Sequence, residues 1–266
     1  MSLDPCYRLE PDLEKKWGDE PEPGSPPGFI SISSVDLYLR CPKAWEFRYL
    51  LKPEIPDRDD TPLRFGSAIH KALELIYGRY LQEGVFPDVM EVSGFVEQGM
   101  ASTGPWGPAE LVKLTQEGFK LVNNFLATGG RAIRPVLSEL QFLLMGPSDL
   151  KIVGAIDLTT VDSVRDFKVT WHPRTLDKAS DQLNLYAAVF HLMTGGWPVE
   201  LEIINLVRST GTVNYLTLRC DPGEVAKSLK KVEEIWLKSR TPPYIPSPSA
   251  QACRYCDYRS LCTDRK

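Results

Sequence analysis

No stretch of this chain approaches the roughly 18 uninterrupted apolar residues that a membrane-spanning helix requires. The opening MSLDPCYRLE lacks the apolar core of a secretory signal, so a cytoplasmic protein without a membrane partner is expected. No Gly-x-x-x-x-Gly-Lys-Ser/Thr loop is present, and any ATP-driven unwinding would need a partner helicase or recombination protein. There is no internal repeat. Excess charge is also missing. The net charge is −4, which excludes nucleic-acid binding by bulk positive charge but not by a local basic groove. Seven of the 35 acids and three of the 31 bases lie in residues 1–28, which leaves 28 of each sign in the rest. Cysteine is scarce, at six residues. In a reducing compartment six thiols point to metal or cluster binding rather than disulfides.

What is there is an ordinary globular composition, 42% apolar and 25% charged, in 266 residues, enough for a large core. Residues 1–28 hold six of the 22 prolines and close on GSPPG, and a disordered acidic tail is expected there. A single domain is expected over 29–266. Its part 29–134 reads as helical. Ser33 or Ser34 can cap a helix through Leu39, Pro42 interrupts it or starts the next, and apolar residues recur with helical spacing over 64–83 and 107–127. Part 135–220 changes character. Three strands are expected at 135–145, 150–161 and 163–170, then a helix at 175–194 and strands at 199–208 and 212–219. Part 221–266 holds a helix from Pro222 to about Arg240, a Pro-rich connector and a cysteine cluster. The whole reads as an α/β protein with a mixed central sheet and a helical N-terminal elaboration.

Strand 150–161 alternates so that Asp157 shares a face with Val153, Ala155 and Thr159. On the next strand Asp166 and Lys168 share a face, while Phe167 and Val169 turn to apolar packing. A hairpin can therefore bring Asp157 near Asp166 and Lys168. Two carboxylates on adjacent strands form a hard-oxygen site suited to magnesium or manganese. A lysine beside them can orient a metal-bound water or stabilise a developing phosphorane. Acid-x-Lys alone is weak, since it occurs four times in this chain. Only Asp166-Phe167-Lys168 lies within an apolar strand with an acid one hairpin upstream. Gln182 and Tyr186, four apart, share a helix face. His70 lies upstream in RFGSAIHKALE.

Taken in order, a helical His70, Gly154-x-x-Asp157, Asp166-Phe167-Lys168 and Gln182-x-x-x-Tyr186 resemble the RecB-like branch of the PD-(D/E)XK nucleases. The resemblance covers about residues 31–262 and implies a restriction-endonuclease-like fold. It implies that His70, Asp157, Asp166 and the main-chain carbonyl of Phe167 hold the metal. Lys168 would be the catalytic lysine, and Gln182 and Tyr186 would support the site or touch DNA. Glu139, on the preceding strand, stands as either a further acid of the site or a solvated strand residue.

Cys253-x-x-Cys256 and Cys262 place three thiolates within ten residues, and Cys41 in RCPKAWEFRYL is the natural fourth. Four thiolates can hold zinc or a [4Fe–4S] cluster. One distant cysteine plus a C-terminal triplet resembles iron–sulfur members of the RecB-like branch, the AddB nuclease domain and CRISPR-associated exonucleases among them. That resemblance implies a structural cluster stapling the two ends of the domain. Cys6 and Cys220 are read as plain thiols. The function expected is a divalent-metal-dependent deoxyribonuclease. It would be an exonuclease on single-stranded DNA ends, in recombination, repair, phage DNA metabolism or CRISPR adaptation. Basic residues of the helix from Pro222 (Lys227, Lys230, Lys231, Lys238, Arg240) would follow the backbone. The rival is a non-catalytic iron–sulfur DNA-binding module on the same fold.

Overall fold

The computed structural model describes residues 3–10, 24–55, 59–175 and 180–264. Its contacts divide the chain into two compact units, one of residues 1–58, 141–154 and 222–266, the other of 59–140 and 155–221. A mixed six-stranded sheet runs in the order β1 (Arg8–Leu9), β2 (Leu137–Met145), β3 (Lys151–Thr159), β4 (Ser163–Thr170), β5 (Glu200–Val207) and β6 (Thr212–Arg219). The β3–β4 and β5–β6 pairs are antiparallel and β4–β5 is parallel. A parallel neighbour requires a crossover, and helix α6 (Ser180–Thr194) supplies it. Among the described residues no helix is long and apolar enough to cross a membrane.

The second unit is built on α3 (Thr61–Glu83), α4 (Val89–Ser102) and α5 (Pro108–Thr128). Pro62 and Pro108 start their helices, where a missing N–H costs nothing. Phe65, Ile69, Leu73 and Ile76 recur three or four residues apart on α3 and are all fully buried. They join Val96, Phe125, Leu158, Phe167 and Ile204 in one core. Gly99 allows the close approach of α4 to α3, because a Cβ there would stand 2.2 Å from the carbonyl oxygen of Ala68. Helix α4 lies outside the segments expected to be helical from apolar spacing. Its local signal is a capping box: the Asp88 carboxylate accepts from the amides of Met90 and Glu91, and Glu91 returns to the amide of Asp88.

In the first unit, α1 (Ile32–Arg40) is capped by Ser31, whose hydroxyl accepts from the Ser34 amide, so the expected cap at Ser33 or Ser34 is replaced. Ser34 is instead turned inward, accepting from Trp45 Nε1 at 2.8 Å. Helix α2 (Pro42–Glu46) follows and continues as a π-helical turn over Phe47–Leu51. Trp45, 1% exposed, packs on Tyr38, Tyr49 and Tyr244, and Phe47 stacks on Tyr258. Helix α7 (Pro222–Lys238) accepts a hydrogen bond from the Tyr38 hydroxyl at the Lys238 carbonyl. The expected tail departs from disorder at Arg8–Leu9, which pair with Leu144–Met145, while Tyr7 beside them is buried. Residues 11–23 of that stretch lie outside the described residues, as do 176–179 of the helix expected from 175.

Candidate active site

The β3–β4 ladder pairs Leu158 with Arg165 and Thr159 with Val164. One step further, Asp157 Oδ2 accepts the Phe167 amide at 2.6 Å, so a side chain serves a backbone donor of the neighbouring strand. That bond holds the carboxylate still and leaves Oδ1 turned to His70 Nδ1 at 3.4 Å. His70 comes from the middle of α3, where its ring meets Phe167 edge-on. Glu139 completes the group from β2. His70, Glu139 and Asp157 place donor atoms within 4.8 Å of one another, the one such triplet among the described residues. Glu139 has φ 49°, a left-handed conformation that costs energy for any residue but glycine. Burial raises its carboxyl to about 7, and the neighbouring Asp157 charge adds to the rise. Burial pulls the His70 imidazole down, but the Asp157 charge and hydrogen bond outweigh it, and its pKa ends raised.

Asp166 is 1% exposed. Lys168 Nζ donates to its Oδ1 at 2.9 Å and lies 2.7 Å from its Oδ2, without hydrogen-bond geometry at that second oxygen. Gln182 Nε2 donates to Oδ1 at 2.9 Å and to the Tyr186 hydroxyl at 2.7 Å. Burial raises the Asp166 carboxyl and Lys168 opposes the rise. The two helix residues expected to share a face thus line up behind the second acid. Phe167 puts its side chain in the core and its amide on Asp157.

A cleft of about 580 Å³ opens over this group, lined by Gly66, His70, Lys71, Glu139, Asp157 and Lys168 among others. Three hard-oxygen or imidazole donors at its wall fit magnesium or manganese.

One residue of the surroundings has a role that the sequence does not display. Asn205 on β5 is fully buried, donates to the Lys168 carbonyl and Thr170 Oγ1, and accepts the Arg174 amide, so it pins the end of β4. No local signal marks it, because its partners lie 31 to 37 residues away. Glu139, open in the sequence between a further acid of the site and a solvated strand residue, has a carboxylate oxygen within 4.8 Å of the His70 and Asp157 donors. Gly154, the first residue of the Gly-x-x-Asp motif, has a packing reason: a Cβ there would meet the Phe142 ring at 2.7 Å.

The six cysteines carry no disulfide. Cys41 lies between α1 and α2, Cys253 on α8 (Ala250–Arg254), and Cys256 and Cys262 in the turns that follow. Burial raises the Cys256 thiol, and the charges of Cys41 and Cys253 raise it further, which puts these three in one neighbourhood. Among the described residues, however, no three cysteine sulfurs come within 4.8 Å of one another. Cys220 is apart, pushed up to about 11 by burial, and Cys6 is exposed.

A mixed sheet with two acids and a lysine on adjacent strands, backed by a helix, is an arrangement suited to holding a divalent ion beside a phosphodiester. Residues 30–263 match the family model of the PD-(D/E)XK nuclease superfamily, and the chain belongs to that superfamily. Its overall fold is similar to that of a crystal structure from Eubacterium rectale, named as a candidate exonuclease, at 13% identity, 90% coverage of each chain and a TM-score of 0.60. A second solved structure, SSO0001, aligns over 94% of this chain and 92% of its own at 12% identity, with a TM-score of 0.40. A search of curated proteins finds no match.

Proposed function

We propose that this nuclease is a RecB-like, divalent-metal-dependent deoxyribonuclease that removes nucleotides from single-stranded DNA ends. The observation that carries this is the convergence of His70, Glu139 and Asp157 within 4.8 Å at the wall of a cleft that Lys168 also lines. His70, Glu139 and Asp157 would hold the ion, with Asp166 and the Phe167 carbonyl as the further ligands implied by the Asp-x-Lys motif. When bound, the ion supplies Lewis acidity toward the phosphate and lowers the pKa of water. The protein's own part is positioning. Asp166 receives Lys168 and Gln182 together, so the ammonium is held at the cleft with donors left for a phosphate oxygen or the attacking water. Tyr186 fixes Gln182 and acts through it. The Asp157–Phe167 bond keeps the first acid from swinging away as strands β3 and β4 part.

The exonuclease reading takes support from the name given to the structural neighbour and from the RecB-like order of motifs. The thiols Cys41, Cys253, Cys256 and Cys262 form the second half of the proposal, a [4Fe–4S] cluster with a structural role. The reading rests on ligand order: zinc ribbons usually pair two Cys-x-x-Cys knuckles, whereas this chain has one, with a distant Cys41 and a C-terminal Cys262 as in iron–sulfur members of the RecB-like branch. Soft thiolates and hard carboxylates also select different ions, so the two sites would not compete.

The test is anaerobically purified protein, with its visible spectrum and iron content recorded. It is assayed on end-labelled single- and double-stranded DNA with magnesium, manganese or EDTA. Metal-dependent release of nucleotides from single-stranded ends in a brown protein is the expected result. No cleavage of any DNA would return the chain to the DNA-binding alternative, and one zinc with no iron would remove the cluster.

A further inference from the structure

Three residues beyond Lys168, the chain presents an aromatic ring to solvent. Trp171 is 58% exposed, an unusual state for the largest apolar side chain. Its backbone is not loose. The β4–β5 pairing continues past the strand ends, with the Arg208 amide donating to the Thr170 carbonyl and the Ser209 amide to the Trp171 carbonyl. One side of the ring is occupied. The Arg208 guanidinium lies 5.6 Å from its centroid and 4.1 Å from that of buried Phe65. Arg208 is itself clamped by Glu117 through two hydrogen bonds, at 2.6 and 3.1 Å. Its charge is therefore already matched, and what it offers Trp171 is a rigid cationic support.

Trp106 makes an instructive contrast. It too lies under an arginine, Arg64 at 4.1 Å, but it is half-buried and its Nε1 donates to the Met100 carbonyl. That ring is committed to holding the fold. Trp171 has no hydrogen bond of its indole among the described residues.

We propose that Trp171 is a stacking platform for an unpaired nucleobase of the strand being cut, a deepening that rests on the single-stranded reading above. Val169, two residues before Trp171, lines the cleft, so the backbone that carries the ring lies within about 7 Å of the cleft wall. From Lys168 to Trp171 the chain advances about 10 Å at roughly 3.3 Å per residue. That distance corresponds to about three stacked nucleotides at 3.4 Å each. A base within three positions of the scissile phosphate can thus reach the ring, and every base has a face that stacks. A paired base has both faces covered in the duplex, so the platform favours single strands without reading sequence.

The test compares wild type, Trp171→Phe and Trp171→Ala on labelled oligothymidylate. A second set of oligomers carries an abasic residue one, two or three positions from the cut. Binding is measured in EDTA and KM in magnesium. Trp171→Ala should weaken binding about ten-fold, within the range of one lost base stack, with kcat and melting temperature nearly unchanged. Trp171→Phe should retain most of the affinity. One abasic position should cost wild type as much as the alanine variant loses, and cost that variant nothing more. Equal binding by wild type and Trp171→Ala would overturn the platform, as would equal losses from abasic residues in both. Because binding in EDTA needs no chemistry, its outcome stands apart from that of the cleavage assay, whose failure would instead strike the proposed function.

Discussion

The two compact units handle their reactive groups in opposite ways. In the unit of residues 59–140 and 155–221, the two strand acids at the cleft already have protein partners. Asp157 holds an amide and faces His70, and Asp166 holds Lys168 and Gln182. In the unit of residues 1–58, 141–154 and 222–266 lie Cys41, Cys253, Cys256 and Cys262, with no disulfide among them and with Cys41 and Cys253 close enough to raise the Cys256 thiol. The lesson is that a buried charge must be paired before any ion arrives, because leaving it bare costs several kcal/mol. A neutral thiol carries no such penalty and can wait for its ligand unpaired. The acid-bearing region should therefore hold its shape without metal, whereas the thiols are joined to one another only when a ligand binds them, so the cysteine region should be less stable without one.

The sharpest way to break that contrast is to remove the catalytic groups. Asp157→Ala and Asp166→Ala should reduce cleavage to background, and Lys168→Ala should lower kcat by about 10²–10³-fold. Lys168→Ala should also lower the melting temperature, because buried Asp166 loses its ion-pair partner. His70→Ala should weaken activity and shift preference from manganese toward magnesium, since an imidazole ligand favours the softer ion. Wild-type cleavage rates in Asp166→Ala would overturn the site.

The cysteine side predicts the reverse pattern. Any one of Cys41→Ser, Cys253→Ser, Cys256→Ser or Cys262→Ser should bleach the visible absorbance and lower the melting temperature by roughly 5–10 °C, about 2–3 kcal/mol. Cys6→Ser and Cys220→Ser should change neither. Full iron content in Cys41→Ser would separate the N-terminal thiol from the C-terminal triplet.

A smaller effect is expected at Asn205. Asn205→Ala leaves the Arg174 amide and Thr170 hydroxyl short of a partner and should cost about 1–3 kcal/mol by urea denaturation. It should lower kcat less than Lys168→Ala does, because it acts on the strand that carries the lysine. A variant with full stability would show that water replaces the amide.

The smallest effect is the pH dependence of the metal-free protein. His70, Glu139 and Asp166 all have folded pKa values above their unfolded ones, Glu139 at about 7. The folded state then binds more protons than the unfolded state between those values. Stability is greatest when the groups are protonated and is lost as pH rises from the ordinary carboxylate values through the folded ones, so melting temperature should decline from about pH 4 up to about pH 7. Glu139→Gln should flatten that slope. Saturating magnesium should reverse it, because the ion needs deprotonated ligands.

What the sequence by itself determined here rests on short-range periodicity. A period of two put Asp166 and Lys168 on one side of β4, and a period near 3.6 put Gln182 beneath Tyr186. Those relations hold wherever the elements pack. Strand and helix boundaries from β2 to α7 followed for the same reason, since turns and apolar alternation are local. Tertiary structure alone decided the rest. Packing of α3 against the sheet brings Glu139 of β2 within 4.8 Å of the His70 and Asp157 donors, and the left-handed backbone at Glu139 is not signalled by any residue pattern. Asn205 reaches the Lys168 carbonyl only through the parallel pairing of β4 with β5, which α6 makes possible. Tyr7 gains burial, and Arg8–Leu9 gain a strand, from a partner more than 130 residues away, which composition alone reads as disorder. Long-range pairing and burial supply that energy, and neither is visible until the chain has folded.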